Sequence, residues 1–412
     1  MSSSRLPRSV VNLVLVLLML YIWAGWSIVP FHGDEADHLF KSHDFLTYAV
    51  KGHPDQLLVT PPIQIDSPEH IRLLTGTTSA YLTGLMLWLG GVYDWPPPWY
   101  YAYPVQWNID NGRWPSLTAL YLGRIAMTFL AMLSVPLAYN IVWLVGRRSW
   151  PALIAAALIA THPAWLLSSR RVMQEAALGS LSLAVVWLGM LNARRMKLLR
   201  WLWLGLVSGL CLAVKPTGAI SVGAVLLTLW LTVSPRWRWL SAGAIALTVY
   251  LILTPAIWGA PISRVVLAAE LRAEVLQGQT RASPDAYQHW SERALALIQQ
   301  PFLSEVQYYE SDAFADGPRL DAQITRYQTS GLAGWQMTPI MGWGATILIG
   351  WGMVGLWRRN PDPAARVLLA WMLLTALALL LSVPLAWQRY YLVWSLAACL
   401  AIGVSLCGWN HS

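Results

Sequence analysis

The chain has 412 residues, 56% of them hydrophobic and only 12% charged, and carries a net charge of +8. Soluble domains carry about a quarter charged residues, so an ordinary soluble enzyme is excluded. Apolar runs of span length recur along the chain, continuous and rich in Leu, Ala and Val; they read as membrane helices and argue against a barrel, whose strands alternate.

In chain order, Arg5 and Arg8 precede the first apolar run, residues 10–29. It is about the ~20 residues a helix needs to cross a bilayer. It lacks a small-residue cleavage site, so it reads as a retained anchor rather than a signal peptide. About ten transmembrane helices are expected, at 10–29, 118–146, 150–168, 173–193, 199–214, 217–233, 238–258, 338–357, 365–384 and 388–408. With both termini in the cytoplasm, the inner segments collect Arg5, Arg8, Arg147, Arg148, Arg194, Arg195, Lys197, Arg200, Arg236, Arg238, Arg358, Arg359 and Arg366. Their one acid is Asp362. That partition is what the positive-inside rule demands. Many of the 26 Trp and 16 Tyr lie near the ends of the runs, as interfacial belts do. Cys211, Cys399 and Cys407 sit far apart in apolar runs and suggest neither a disulfide nor a metal framework.

The expected fold is therefore an all-α polytopic membrane protein, one transmembrane domain over 1–412, with two long extracytoplasmic segments at 30–117 and 259–337. The first opens with three carboxylates, Asp34, Glu35 and Asp37. Residues 34–50 read as an amphipathic surface helix, with Leu39, Phe40, Leu46 and Val50 toward the membrane. Residues 79–91 form an apolar run too short to span and read as a re-entrant or interfacial helix. The run Trp95-Pro-Pro-Pro-Trp99-Tyr-Tyr-Ala-Tyr103 is a rigid aromatic loop, because Pro fixes φ and forbids helix. In the second segment 262–276 is amphipathic. Residues 301–332, with Tyr308, Tyr309, Glu310 and Asp312, read as a mobile cover with weak structure of its own.

Five cations break the topology rule. Arg124, Arg170, Arg171, Lys215 and Arg389 all lie at or just below the outer membrane level, where ionisable groups line cavities or pair. Each alone could snorkel to lipid phosphates. Together they suggest a shared anion site for a lipid-borne phosphate, with Arg fitted to bidentate recognition and Lys to a point charge. Glu175, four residues after Arg171, could pair with it on one helix face.

Asp34 and Glu35 are adjacent and point apart on a helix, so one can face a cavity while the other orients a neighbour. Attack on a sugar's anomeric carbon needs a carboxylate to take the acceptor's proton. A phosphate leaving group removes most of the need for a general acid. Two other readings stay open: a solvated helix N-terminus favoured by the dipole, and a divalent metal held by His32, Asp34, Asp37 and His38, although their spacing is not HExxH. No cofactor is otherwise implied. The letters Asp34-Glu35-Ala36-Asp37 occur in helicases, but no GxxxxGK[ST] loop accompanies them, and no nucleic-acid partner is expected.

Taken together, these motifs resemble the GT-C superfamily of integral-membrane glycosyltransferases, in the branch of protein O-mannosyltransferases and the lipid A aminoarabinose transferase. The resemblance rests on Asp34-Glu35 after the first span, Tyr121-Leu-Gly-Arg124 opening the second, and His162-Pro163 running through Arg170-Arg171 to Glu175. Lys215-Pro-Thr-Gly218 and Arg389-Tyr390-Tyr391-Leu392 complete it. It implies inverting transfer from a polyprenyl-phosphate sugar to an acceptor hydroxyl on a protein, glycan or lipid. Asp34 is then the base, Glu35 its catalytic neighbour, and Arg170, Arg171, Lys215 and Arg389 hold the donor phosphate. Arg124, Glu175, His38 and Tyr390 support them, Glu175 standing where relatives often have Asp. The expected setting is a plasma membrane, a bacterial inner membrane by the compactness of the chain, with the site facing outward. A transporter or flippase for a phosphate-containing lipid or glycan is the alternative, although no half-repeat accompanies the charges. A non-catalytic scaffold leaves the outer cations unexplained.

Overall fold

The computed structural model describes residues 6–408 except 66, 196, 311–317 and 360. Arg5 and Asp312 thus lie outside the described residues. Apart from one isolated bridge, Ala286 to Leu385, the described residues form no β-structure.

Helix α1 (Arg8–Ala24) leads into the first long segment, 30–117. That segment holds α2 (Gly33–Phe45), α3 (Pro68–Leu74), α4 (Thr77–Leu89) and α5 (Val105–Asp110). Then come α6 (Leu117–Gly146), α7 (Ser149–Thr161), α8 (Pro163–Ser169), α9 (Glu175–Arg194), α10 (Leu198–Leu212), α11 (Gly218–Thr232) and α12 (Trp237–Leu253). The second long segment, 259–337, carries α13 (Pro261–Ala282), α14 (Trp290–Phe302) and α15 (Pro318–Thr329), followed by α16 (Pro339–Arg358), α17 (Pro363–Ser382) and α18 (Leu392–Ser405). A helix or helix pair lies at each of the ten expected positions. Four of the described helices, α6, α9, α16 and α17, are long and apolar enough to cross a membrane. A fifth such unit is α7 with α8, bent by 57° at His162-Pro163, where proline removes a backbone donor.

Helix α9 is the centre of the bundle, with 78% of its apolar window buried. It packs against α6, α10, α11 and α17. Helix packing in lipid relies on close approach rather than on exclusion of water, and small residues permit it. A methyl group at Gly352 of α16 would meet Ala401 O of α18 at 2.1 Å, and one at Gly179 of α9 would meet the Trp165 ring at 2.6 Å.

The two long segments depart from expectation in two respects. Leu39 and Leu46 of the 34–50 stretch turn into the protein rather than toward lipid, and are 0% and 5% exposed. Leu39 packs with Phe31, Leu87 and Leu120 because α2 lies across α4 and α6. Residues 301–332 supply buried side chains, Glu310, Leu320 and Tyr327 among them, and α15 gives part of this stretch regular structure.

Candidate active site

The site is built on the N-terminus of α2. His32 is its cap. The His32 ring Nδ1 accepts from the Asp34 amide at 3.1 Å, and the Glu35 carboxylate accepts from the His32 amide at 3.1 Å. This reciprocal box satisfies donors that a helix start leaves unpaired. With Nδ1 accepting, the ring proton is assigned to Nε2, which donates to Glu310 Oε2 at 2.7 Å.

The capped turn sends its two carboxylates apart. Glu35 points inward and is fully buried. Arg124 grips it in a fork, Nε to Oε1 at 2.9 Å and Nη2 to Oε2 at 2.8 Å, and the Val172 amide adds a third donor at 2.8 Å. Burial alone would raise the Glu35 carboxyl, but Arg124 and these hydrogen bonds keep it below its ordinary value. Glu35 has no exposed surface and ties α2 to α6 and to the break before α9.

Asp34 faces the other way and keeps 21% side-chain exposure. Arg389 Nη1 donates to its Oδ2, and the Tyr101 hydroxyl donates to its Oδ1. That hydroxyl also lies 2.8 Å from Asp37 Oδ2, while Asp37 Oδ1 accepts from the Trp99 amide at 2.8 Å. Burial would raise the Asp34 carboxyl, yet Arg389 above all, with the Tyr101 hydrogen bond, holds it well below the usual range. Arg389 also lies 3.1 Å from Glu310 Oε1 through Nε. The Glu310 carboxyl resists the upward push of burial and, with Arg389 and His32 beside it, sits at about 2. His38 is buried with an unpartnered Nδ1, and burial brings it down to about 4, so it is neutral near pH 7.

The five cations have different partners. Arg124 is spent on Glu35 and on Val29 O at 2.8 Å. Arg170 is fully buried and donates to Ile22 O at 2.8 Å, Tyr21 O at 2.7 Å, Leu332 O and the Tyr327 hydroxyl at 2.9 Å. Tyr21 and Ile22 belong to the last turn of α1, whose carbonyls lack helical partners. Arg171 donates to Pro30 O and Tyr308 O, both at 3.0 Å. Both side chains are buried, at 0% and 3% exposure, and are turned toward carbonyls of α1, of the chain after it and of the second long segment. The expected pair of Arg171 with Glu175 is also absent, because 170–174 is a break and not helix. Glu175 instead faces Lys215, Nζ to Oε1 at 3.3 Å.

Lys215 and Arg389 do meet, around Tyr390. Lys215 Nζ lies 5.5 Å from the Tyr390 ring centre and Arg389 5.7 Å from it. A third cation joins them that sequence reasoning missed. Arg272 of α13 donates to the Tyr390 hydroxyl at 3.3 Å and has no carboxylate at ion-pair distance among the described residues. Lys215 and Arg272 stand on the wall of an apolar cavity of about 630 Å³ lined by Leu212, Leu247, Tyr250 and Leu276. Beyond Lys215 a smaller cavity of about 60 Å³ reaches Glu175, Arg389 and Tyr390.

A family model described as dolichyl-phosphate-mannose-protein mannosyltransferase matches residues 118–258, from α6 to the end of α12. No curated protein sequence matches the chain. Among solved structures, the oligosaccharyltransferase of Archaeoglobus fulgidus in complex with Zn and sulfate superimposes with a TM-score of 0.54 at 13% identity, over 95% of this chain and 48% of that one. The same archaeon's oligosaccharyltransferase AglB, in complex with an inhibitory peptide and a dolichol-phosphate, gives 0.51 at 13% identity, over 96% and 50%. The fold is that of the GT-C glycosyltransferases. ArnT from Cupriavidus metallidurans, bound to undecaprenyl phosphate, gives 0.42 at 14% identity, over 98% and 77%. The chain spans about half the length of the archaeal enzymes it superimposes on.

Within this GT-C fold, the matched stretch holds Arg124, Arg170, Arg171, Glu175 and Lys215, while Asp34 and Arg389 come from outside it. The metal reading of the acidic corner does not fit. Among the described residues no three His, Cys, Asp or Glu side chains are grouped to hold an ion. The His32 nitrogens go to the Asp34 amide and Glu310, and the Asp37 oxygens to Trp99 and Tyr101. Two further residues escaped the sequence, Glu310 and Tyr101. Tyr101 lies in the aromatic loop that sequence reading marked as rigid, and Glu310 in the polar stretch beside Tyr308 and Tyr309.

Proposed function

We propose that this chain moves a sugar from a polyprenyl-phosphate donor to an acceptor hydroxyl at the outer face of the membrane. One observation carries this reading: the partly exposed Asp34 carboxylate is joined through Arg389 to a cluster of cations that ends an apolar cavity of lipid-chain character. The polyprenyl chain lies along the 630 Å³ cavity. Its phosphate meets Lys215 and Arg272, with Arg389 and Tyr390 beside them. An arriving phosphate competes for Arg389, and Asp34 is left free to act. The acceptor's O–H bond then breaks, its proton passing to Asp34. A bond forms from the acceptor oxygen to C1 on the face opposite the phosphate, so the configuration inverts. The C1–O bond to phosphate breaks, its electron pair leaving on the phosphate, which the cations stabilise.

The proposal includes the topology that the charge ledger favours: ten spans, both termini cytoplasmic, in a plasma membrane of bacterial inner-membrane type. The two outer segments then supply acceptor recognition. The test is a transfer assay with purified protein in lipid and a panel of radiolabelled polyprenyl-phosphate sugars, with Asp34→Asn alongside. Consumption of one donor by the unaltered protein and not by the variant supports the reading. Label crossing the bilayer chemically unchanged sinks it in favour of a flippase.

A further inference from the structure

The smaller cavity, of about 60 Å³, lies between α9, α11, α17 and the turn before α18, and is lined by Glu175, Lys215, Ser221, Thr375, Arg389 and Tyr390 among others. Two of its buried polar atoms lack partners, Glu175 Oε2 and Thr375 Oγ1. Both residues are at least nine-tenths buried, at 5% and 3% exposure. Buried polar atoms are nearly always hydrogen-bonded, so two orphans on one cavity wall call for a ligand.

Thr375 is the more telling of the two. Threonines inside helices commonly return their hydroxyl to the carbonyl four residues back, as Thr228 does to Ala224 O at 2.7 Å and Thr346 to Gly342 O at 3.0 Å. Thr375 makes no such bond. Its neighbour on the wall, Ser221, is already committed: it donates to Ser182 Oγ at 2.9 Å and accepts from Trp371 Nε1 at 2.9 Å. The free capacity is thus one carboxylate oxygen, which only accepts, and one hydroxyl, which can do either.

We infer that this cavity binds the hydroxyl-bearing edge of the donor's sugar, and that Thr375 and Glu175 select a neutral or amino sugar over a uronate. The inference rests on the donor reading above. Its size agrees: the space amounts to about four water molecules, enough for the polar edge of one ring and too little for a lipid chain. Lys215 lines both cavities, so a phosphate held there has lipid on one side and sugar on the other. A hydroxyl or ammonium on the ring gives Glu175 Oε2 the donor it lacks. A ring carboxylate brings a second negative charge against it, which costs rather than supplies a bond.

The test is equilibrium binding to the full chain in phosphatidylethanolamine–phosphatidylglycerol nanodiscs, using radiolabelled polyprenyl phosphate, bare or carrying a neutral hexose, an amino sugar or a uronic acid. The unaltered protein is expected to bind the hexose or amino-sugar lipid about ten-fold more tightly than bare polyprenyl phosphate, and the uronate lipid no more tightly than bare, from one or two net hydrogen bonds. Thr375→Val removes the hydroxyl at nearly constant volume. It should weaken the sugar lipids by about five- to ten-fold and leave bare polyprenyl phosphate untouched, with Thr375→Ser restoring the difference. Equal weakening of bare and glycosylated lipids makes Thr375 merely structural and overturns the inference. No change with either makes the cavity a water pocket and overturns it too. A protein that binds no polyprenyl phosphate at all has a different signature, and overturns the donor reading along with this one.

Discussion

Arg389 and Asp34 are 355 residues apart in sequence and form an ion pair. One comes from the first turn of α2, the other from the turn that opens α18. Glu310 joins them through the same guanidinium. The base that the proposed transfer requires is thus held anionic and, without a donor, covered by its own counter-ion.

Asp34→Asn is expected to leave folding intact and to abolish transfer. The side chain is partly exposed, and the amide keeps its shape and its hydrogen bond from Tyr101. Arg389 keeps Glu310 but loses one of its two carboxylate partners, so the variant should fold with a lowered unfolding temperature while turnover falls below detection. Full turnover with the asparagine would remove Asp34 from the chemistry.

Glu35→Gln or Arg124→Met should behave in the opposite way. Each leaves one half of a buried fork uncompensated, which costs roughly 3–5 kcal/mol. Folded yield and unfolding temperature should drop sharply, and whatever protein folds should still transfer. Replacing both partners together by Leu and Met should recover part of the loss, because no buried charge is then left alone. Thermal melts of the three variants in detergent check this.

That Asp34 and Glu35 face apart was legible in the sequence, since neighbouring positions on a helix cannot face the same way. The all-α class and the run of apolar helices were legible from composition and hydropathy. The fate of Arg170 and Arg171 was not. Both look like phosphate ligands by position, but the last turn of α1 and the chain after it end buried, with carbonyls at Tyr21, Ile22 and Pro30 that need donors. That demand appears only once the helices are packed. Arg272 was hidden for a related reason. It lies on a stretch with the pattern of a surface helix, and its value comes from meeting Tyr390, 118 residues away. Glu310 sits where no periodicity marks a side chain as inward.

Lys215→Met and Arg272→Met should weaken donor binding without touching the acceptor. A hydrogen bond to a charged group contributes about 1.5–3 kcal/mol, so the donor KM should rise on the order of ten-fold or more for each. Arg170→Lys offers a contrast: it loses the fork that holds α1 to the second outer segment, so it should lower stability rather than donor affinity. Steady-state kinetics with donor and acceptor varied separately distinguish these. A change confined to the acceptor KM for either Lys215 or Arg272 would remove that residue from the donor site.

Glu310 makes a prediction in pH. Its carboxyl sits at about 2 in the folded protein against an ordinary value of 4.5, with Arg389 and His32 overcoming the effect of burial. As pH falls, the unfolded chain takes up this proton first. The stability that Glu310 contributes is therefore complete above about pH 4.5 and is lost as pH falls from there to about 2. Glu310→Gln cannot titrate. It should be less stable than the unaltered protein at pH 6, and the gap should close as both approach pH 2.5. Unfolding temperatures measured across that window decide the matter. A gap that stays constant with pH would mean that Glu310 holds the outer segment by shape and not by charge, and Arg389 would then answer to Asp34 alone.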